Sequence, residues 1–384
     1  MWRAVASNGL TLLVVVLFCG AGLVLWGQRQ YTQPGPLEQA ICLRVERGAT
    51  LSRVSEQLAA EGAVTHPAIF RLGADYTGRS GQLKAGSFLV RPGASMDEIT
   101  AAITQSGRST CGTELNFRIG IANAEVQVRE LNPETERYEV TIEYDPGAEA
   151  APEGYAELAA RADLRYRVTL AEGVTSWQVV EELKSAEFLE GAVAELPAEG
   201  SLAPDSYEVT RGAEREELIA RMQQRQAAIL DELWAEREEG LPLDSREEAL
   251  ILASIVEKET GVPQERGQVA SVFINRLNQG IRLQTDPTVI YGLTEGRAPL
   301  GRGLRQSELR SNTRWNTYVI DGLPPTPIAN PGRASIAAAL NPDETDFLYF
   351  VADGTGGHAF AETLAEHNEN VARWREIEAE RGGN

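Results

Sequence analysis

A short pattern recurs three times in the first half of the chain and limits what that half can build. It reads VERGATLSRVSEQL over 45–58, VRPGASMDEITAAI over 90–103 and LAEGVTSWQVVEEL over 170–183. In each copy an apolar residue (Val45, Val90, Leu170) is followed three positions later by Gly48, Gly93 or Gly173. Two further on stands Thr50, Ser95 or Thr175, and apolar residues return four and eight positions beyond that. The physical reading is strand, turn, helix. The glycine frees the turn, the hydroxyl caps the helix, and the apolar pair faces a core. Glu98 and Gln178 complete capping boxes with Ser95 and Thr175. Such units predict an α+β protein.

The N-terminus is of another kind. Leu10–Trp26 is 17 residues without a charge, preceded by Arg3 and followed by Gln28-Arg29-Gln30. That lies at the short end of a membrane-spanning helix. A cleaved signal peptide is the alternative, but the run is longer than a usual signal core and no small-x-small site follows before Gln30. An uncleaved single-pass anchor is the expectation, with the flanking charges giving only a weak orientation signal. The net charge of −20 argues against nucleic-acid binding, since no basic excess exists to neutralise phosphates. Cys19 lies in the anchor as an apolar filler. Cys42 and Cys111 bracket one module and could form a disulfide in an oxidising compartment, although spacing cannot show that they meet. Three cysteines and three histidines without metal-type spacing predict no metal site.

Residues 115–148 alternate. Val126, Val128 and Leu131, a turn at Asn132-Pro133-Glu134, then Tyr138, Val140, Ile142 and Tyr144 predict a β-hairpin, and 147–154 reads as a linker. Arg211–Glu239 predicts a long amphipathic helix with Leu218, Met222, Ile229 and Leu233 inward. Phe347–Val351 predicts a buried strand ahead of a hairpin turn at Asp353–His358, where the glycines fit no phosphate-binding fingerprint. His358 and His367 are expected in structural or surface roles.

The chemistry is expected in 251–292, ILASIVEKETGVPQERGQVASVFINRLNQGIRLQTDPTVIYG. Leu250–Val256 is nearly continuous apolar surface, which marks a buried helix. It then runs into Glu257-Lys258-Glu259 with no turn residue before Gly261. A carboxylate extending such a helix must be paired, protonated or employed in chemistry, and burial raises its pKa as a general acid requires. Glu257 and Glu259 lie about 200° apart around the axis, so both cannot face one pocket. Spacing alone does not choose between them. Asp286, before Pro287, is a turn starter or a second acid. Gln284 and Thr285 could hydrogen-bond acetamido and hydroxyl groups. Asn275, in VFINRL, is a groove amide or a satisfied internal one, and Tyr318 lines a subsite or packs.

Several blocks, ASIVEKET, VASVFINRL, RLQTDPTVIYG, NTY, GLPPTPIANPG and YFVADGTGGHAF, resemble in order the endolytic murein transglycosylase (YceG-like) family over roughly 165–375, with a weaker match back to 40. The resemblance implies that Glu257 is catalytic and that Glu259 is structural, pairing with Arg266, Arg276 or a backbone group. It implies cleavage of the β-1,4 bond between N-acetylmuramic acid and N-acetylglucosamine in nascent peptidoglycan strands, with 1,6-anhydro ends and no cofactor. Asn275, Gln284, Thr285, Asp286 and Tyr318 are the implied substrate-binding residues. It further implies the inner membrane through residues 10–26, a periplasmic catalytic domain, and glycan polymerases as partners. The first two repeat copies resemble a LysM-like module, a glycan binder or a spacer.

The expected organisation is therefore a cytoplasmic stub and transmembrane anchor over 1–30 and a LysM-like α/β module over 40–111. An inserted β-hairpin and linker follow over 112–165, then a mixed α+β catalytic domain over 166–384. Residues 200–205, GSLAPD, depart from the family's aromatic block there and put one wall of a glycan groove in doubt. A muramidase using water and a non-catalytic glycan-binding scaffold are the rivals. A second carboxylate beside Glu257 would favour the muramidase. Pyridoxal-phosphate lyase chemistry is disfavoured, because Lys258 is the only lysine in the motif and no phosphate cup accompanies it.

Overall fold

A computed structural model describes residues 2–105, 109–159, 161 and 164–382, with side chains from Thr11 to Arg381. The chain divides into two compact units: 1–115 with 127–143 and 151–165, and 116–126 with 144–150 and 166–384.

The first unit opens with helix α1 (Trp2–Thr32). Its stretch Thr11–Thr32, 22 residues, is long and apolar enough to cross a membrane, at about 33 Å of rise. Leu12, Phe18, Leu23 and Leu25 are exposed along it, whereas Tyr31 at its end is buried in the unit's core. Two copies of the repeat follow as strand, turn and helix. Strand β1 (Ile41–Val45) leads to α2 (Leu51–Ala60), and after α3 (Pro67–Tyr76) β2 (Gly86–Val90) leads to α4 (Met96–Gln105). Gly48 and Gly93 hold φ of 78° and 71°, a region that costs other residues strain. Thr50 accepts from the Arg53 amide, and Ser95 and Glu98 exchange capping bonds. The strands pair antiparallel, Leu43 opposite Phe88, above Val54, Leu58, Ile99 and Ile103.

A disulfide joins Cys42 to Cys111, their Cα atoms 5.8 Å apart, and answers the question that spacing left open. Closing a loop of this length stabilises a fold by roughly 4 kcal/mol in the chain-entropy picture.

Residues 112–165 hold more strand than alternation predicts. Strand β3 (Thr113–Ile119) precedes β4 (Ala124–Asn132) and β5 (Arg137–Tyr144), and a short α5 (Tyr155–Ala159) follows. Glu114, almost wholly buried, is paired with Arg129 and lies 3.7 Å from Arg165.

The third repeat copy starts with β6 (Arg165–Leu170) and α6 (Ser176–Ser185), again turning at a glycine, Gly173, with φ 79°. The short strands β7 (Leu189–Glu190), β8 (Ser206–Val209) and β9 (Ala213–Glu214) follow. One sheet takes the order β5-β4-β3-β6-β8, with β6 and β8 antiparallel.

The rest is largely helical: α7 (Arg215–Ala235), α8 (Arg246–Glu259), α9 (Arg266–Asn278), α10 (Asp286–Thr294), α11 (Gln306–Leu309) and α12 (Arg333–Leu340). Helix α7 is shorter at both ends than 211–239: at its start 213–214 is taken into strand β9, and at its end it stops at Ala235. Helix α8 is the hub, its Ile251–Val256 run wholly buried against α7, α9 and α12. The hairpin β10 (Tyr349–Ala352) and β11 (His358–Ala361) and the helix α13 (Leu364–Gly382) close the chain. Strand β10 is half-buried rather than buried, and it begins two residues later than Phe347.

Candidate active site

The charged tail of α8 lies where the buried helix reaches its end. Ser245 caps the N-terminus by accepting from Glu248, and the helix stops at Thr260. Burial along Ile251–Val256 fixes the rotation of the helix, so Glu257, Lys258 and Glu259 leave it in three set directions.

Glu257 meets the loop 328–332, and that loop is held from several sides. The Ser254 hydroxyl accepts from the Ile328 amide at 3.0 Å. Asn330 is fully buried. Its Oδ1 accepts from Leu202 N (2.9 Å) and its Nδ2 donates to Val174 O (2.9 Å). Its main chain is bonded both ways to the repeat turn, Gly173 N to Asn330 O and Asn330 N to Val174 O, each 2.9 Å. Gln226 donates to Gly200 O and Pro331 O. Fixed in this way, the Gly332 N–H donates to Glu257 Oε2 at 2.9 Å.

Gly332 has φ −73° and ψ 164°, which any residue adopts. The space a side chain would occupy there holds the carboxyl of Glu172, which a larger residue would have to displace. Arg266 Nη2 lies 3.6 Å from Glu172 Oε2. Burial and the nearby Glu257 charge push the Glu172 carboxyl up, and Arg266 pulls it back.

Lys258 reaches the same turn and donates to Gly173 O at 3.3 Å. Burial pushes its pKa down, opposed by the charges of Glu257 and Glu199. Glu199, half-buried, stands behind it and accepts from Ser176 N (2.8 Å) and the Tyr291 hydroxyl (3.2 Å). Burial holds its carboxyl above the ordinary range. A hollow of about 280 Å³ opens beside Lys258, lined by Thr175, Gln178, Ile290, Tyr291 and Leu300 among others.

Glu259 looks the other way. Its carboxyl takes the Thr285 hydroxyl, and burial pushes its pKa up. Among the described residues no ion pair joins Glu259 to Arg266 or Arg276, the expected partners beside a backbone group, although the Arg276 charge opposes the rise of the Glu259 carboxyl. Arg266 is drawn to Glu172, and Arg276 donates to Leu348 O, Leu283 O and Arg282 O. Thr285 is buried, its amide donating to Thr317 Oγ1, which also meets Thr288 at 2.8 Å. Asp286 is exposed and accepts from the Tyr318 hydroxyl at 2.7 Å. With Pro287 it starts helix α10, so the Asp-Pro pair opens a helix rather than only a turn. Gln284 is exposed, with φ 51° and its amide on Thr317 O. Asn275 gives both amide hydrogens to main chain, Thr345 O and Phe347 O. His358 meets Glu265 at 2.7 Å, and His367 stacks on Tyr349.

The residues named from sequence thus fall into two groups. Thr285, Asp286 and Tyr318 gather with Glu259, and Glu257 stands with Glu172, Lys258 and Gly332. Sequence reasoning missed Glu172 and Glu199. Each is an acid immediately before a glycine. Only the third repeat copy carries an acid in that place, where the others have Arg47 and Pro92.

A family model of the YceG-like family matches residues 143–373, which hold this whole constellation. The chain belongs to the YceG-like family. It is 36% identical over 173 residues to an endolytic murein transglycosylase of Bacillus subtilis (strain 168), covering 45% of this chain and 46% of that one. It is 25% identical over 356 residues to an endolytic murein transglycosylase of Streptococcus pneumoniae serotype 2, covering 86% and 58%. The chain spans about half the length of these curated relatives. Among solved structures it is similar to a yceG-like protein of Listeria monocytogenes, at 25% identity, 86% and 99% coverage and a TM-score of 0.46.

Proposed function

We propose that this chain is a membrane-anchored lytic transglycosylase that cuts peptidoglycan glycan strands internally, with Glu257 as its general acid and base. The observation that carries the reading is Glu257 itself. It ends a buried helix, is only half-buried, and is oriented by one main-chain N–H. One such carboxyl suffices for the reaction. Its proton goes to the glycosidic oxygen as the bond from the anomeric carbon of the muramyl sugar breaks. The carboxylate then takes the proton of that sugar's 6-hydroxyl, whose oxygen bonds to the anomeric carbon and closes the anhydro ring. The same-named activity of the relatives supports this assignment.

Asp286, Tyr318 and Gln284, at the exposed start of α10, are the proposed sugar contacts, with Asn275 and Thr285 serving by holding neighbouring backbone and Glu259. Residues 10–26 anchor the chain in the inner membrane, with the catalytic region 166–384 in the periplasm. The 40–111 module acts as a LysM-like glycan positioner, 112–165 as an insertion, and glycan polymerases supply the strands.

Glu172 gives the hydrolase reading a specific footing, since it is a second acid near Glu257. Hydrolytic pairs flank the scissile bond from two sides, however, whereas both carboxyls here converge on one residue, Gly332. Mass spectrometry of peptidoglycan treated with the full chain in detergent, beside Glu257→Gln, separates the readings. Anhydro-muramyl ends that vanish in the variant are expected. Reducing ends would make the protein a muramidase, and no cleavage of nascent uncrosslinked strands by folded protein would leave a binding scaffold.

A further inference from the structure

The hollow beside Lys258 takes no part in the proton transfers, yet it lies next to the residue that makes them. Gly173 shows how near. A side chain starting there would stand 3.7 Å from Glu257 Cγ, 3.6 Å from Lys258 Cδ and 3.7 Å from Ile121 Cδ1. Lys258 and Ile121 line the hollow, so its wall begins within a sugar ring's width of Glu257.

The walls do not suit a sugar. Ile121, Pro287, Ile290, Pro299 and Leu300 are apolar, and Ile328 joins them from the loop clasped to the turn 173–174. Polar groups among them are engaged. Thr175 Oγ1 donates to Gly296 O (2.6 Å), Gln178 Nε2 to Ile121 O (2.9 Å) and the Tyr291 hydroxyl to Glu199 (3.2 Å). A pyranose has hydroxyls on every side and would lose water there without replacement. Lys258 is the exception. The one hydrogen bond of its ammonium among the described residues goes to Gly173 O at 3.3 Å, which leaves it hydrogens to give.

One wall also begins the most basic stretch of the chain. Arg297 stands between the lining residues Gly296 and Ala298. The segment continues through Arg302, Arg305, Arg310 and Arg314, all exposed, against two acids, Glu295 and Glu308. In a chain of net charge −20 this is a local excess of positive charge. Trp315, next to Arg314, packs edge-on against Tyr291 of the hollow. Arg297 pairs with Glu295 at 3.0 Å, both largely exposed, a pair weak enough to yield to an anionic ligand.

We propose that the hollow is a subsite for the stem peptide of the muramyl sugar, with apolar walls for its methyl groups and Arg297 for its acidic residue. The inference rests on Glu257 being the general acid at that sugar's bond. The muramyl 3-oxygen bears a lactyl group, amide-linked to an alanine and then to an acidic residue. With the anomeric carbon at Glu257, that oxygen lies across the same ring, on the scale of the separation Gly173 marks. The lactyl carbonyl then meets Lys258, the lactyl and alanyl methyls meet Ile121, Ile290 and Leu300, and the carboxylate reaches Arg297. A strand stripped of its peptides leaves most of the hollow empty, so the subsite selects peptide-bearing strands over bare ones.

Full-length chain in detergent is assayed on two forms of uncrosslinked strand, one intact and one stripped of peptide by an amidase. Intact strands should be favoured in kcat/KM by about tenfold or more, the worth of burying two methyl groups. Ala298→Trp, at an exposed position on the wall, should lower kcat/KM on intact strands through KM and bring the ratio toward one. Converting the peptide carboxyls to amides should weaken binding to wild type and leave Arg297→Gln indifferent. Equal kcat/KM of wild type on the two strands overturns the proposal. So does a loss in Ala298→Trp that is equal on both, since the hollow would then hold sugar. Calorimetric titration tests the subsite apart from cleavage. Full-length Glu257→Gln should bind N-acetylmuramyl-alanyl-glutamate about tenfold more tightly than N-acetylmuramic acid, and adding Ala298→Trp should remove the difference. If wild type cleaves nothing, the transglycosylase reading fails and this titration still decides the subsite. Equal or absent binding of the two probes overturns it.

Discussion

Glu257 and Glu259 leave the same helix two residues apart and meet opposite conditions. Glu257 accepts from a main-chain N–H, lies close enough to Glu172 for its charge to raise that carboxyl, and precedes Lys258, which lines an open hollow. Glu259 is closed in by Thr285, with Arg276 spent on carbonyl groups nearby. Composition does not distinguish the two residues; what differs is whether the neighbours leave room for a substrate. An acid whose surroundings are complete acts as a structural element, and one whose surroundings are unfinished can exchange a proton with something that arrives.

The largest test of this contrast is loss of activity on one side only. Glu257→Gln should lower cleavage by about 10²–10⁴-fold, the usual worth of a positioned proton donor, while Glu259→Gln should lower it less than tenfold. Product quantification at saturating strand concentration reads both, and equal losses would break the distinction.

Next comes the clasp behind Glu257. Asn330→Ala strips a buried amide and leaves the buried Leu202 N–H without its acceptor, at a cost of about 3 kcal/mol, while Val174 O keeps the Asn330 main-chain N–H. Urea denaturation should show the midpoint shift without a change in slope.

A smaller effect concerns pH. The Glu259 carboxyl is raised in the folded chain, so the native state binds its proton more tightly than the unfolded chain does. Its contribution is present below the ordinary carboxyl pKa of 4.5 and is lost as pH rises through the folded value. The melting temperature should therefore fall less steeply above that pH in Glu259→Gln than in wild type. Glu199 and Glu172 are raised as well and leave part of the slope in place. The smallest effect is Tyr318→Phe, which removes a hydroxyl bonded to an exposed carboxylate and should cost about 0.5–1 kcal/mol. A tenfold rise in KM in that variant is expected of a sugar contact, and an unchanged KM would leave Tyr318 only a support for Asp286.

Local features were the most legible in sequence. The glycine, hydroxyl and apolar pair of each repeat copy are satisfied within 14 residues, and all three fold as strand, turn and helix. The buried run of α8 was legible for the same reason. Strand β3 was not, because Thr113–Phe117 is buried at every position and shows no alternation. The site was readable only in part. Glu257 and Glu259 stood out together on one helix, with only the family resemblance choosing Glu257, and the setting of Glu257 is made by Asn330 bonding to Val174 and Leu202, 156 and 128 residues away. Glu172 is brought in by the same long-range ties, and its own segment marks it only as the acid that the third repeat copy alone carries before the turn glycine. Asn275 looked available in sequence because the carbonyls it satisfies lie 70 and 72 residues further on.

The donor that orients Glu257 has a consequence for inheritance. A side-chain donor can be deleted by many single-base changes, but a main-chain N–H is carried by every residue except proline. Substitution at position 332 therefore alters the room left for Glu172 long before it alters the donor itself. Most genetic damage here should displace the neighbour rather than erase the bond. Second-site changes that shorten residue 172, such as Glu172→Asp in a Gly332→Ala background, are where recovery of activity should be sought.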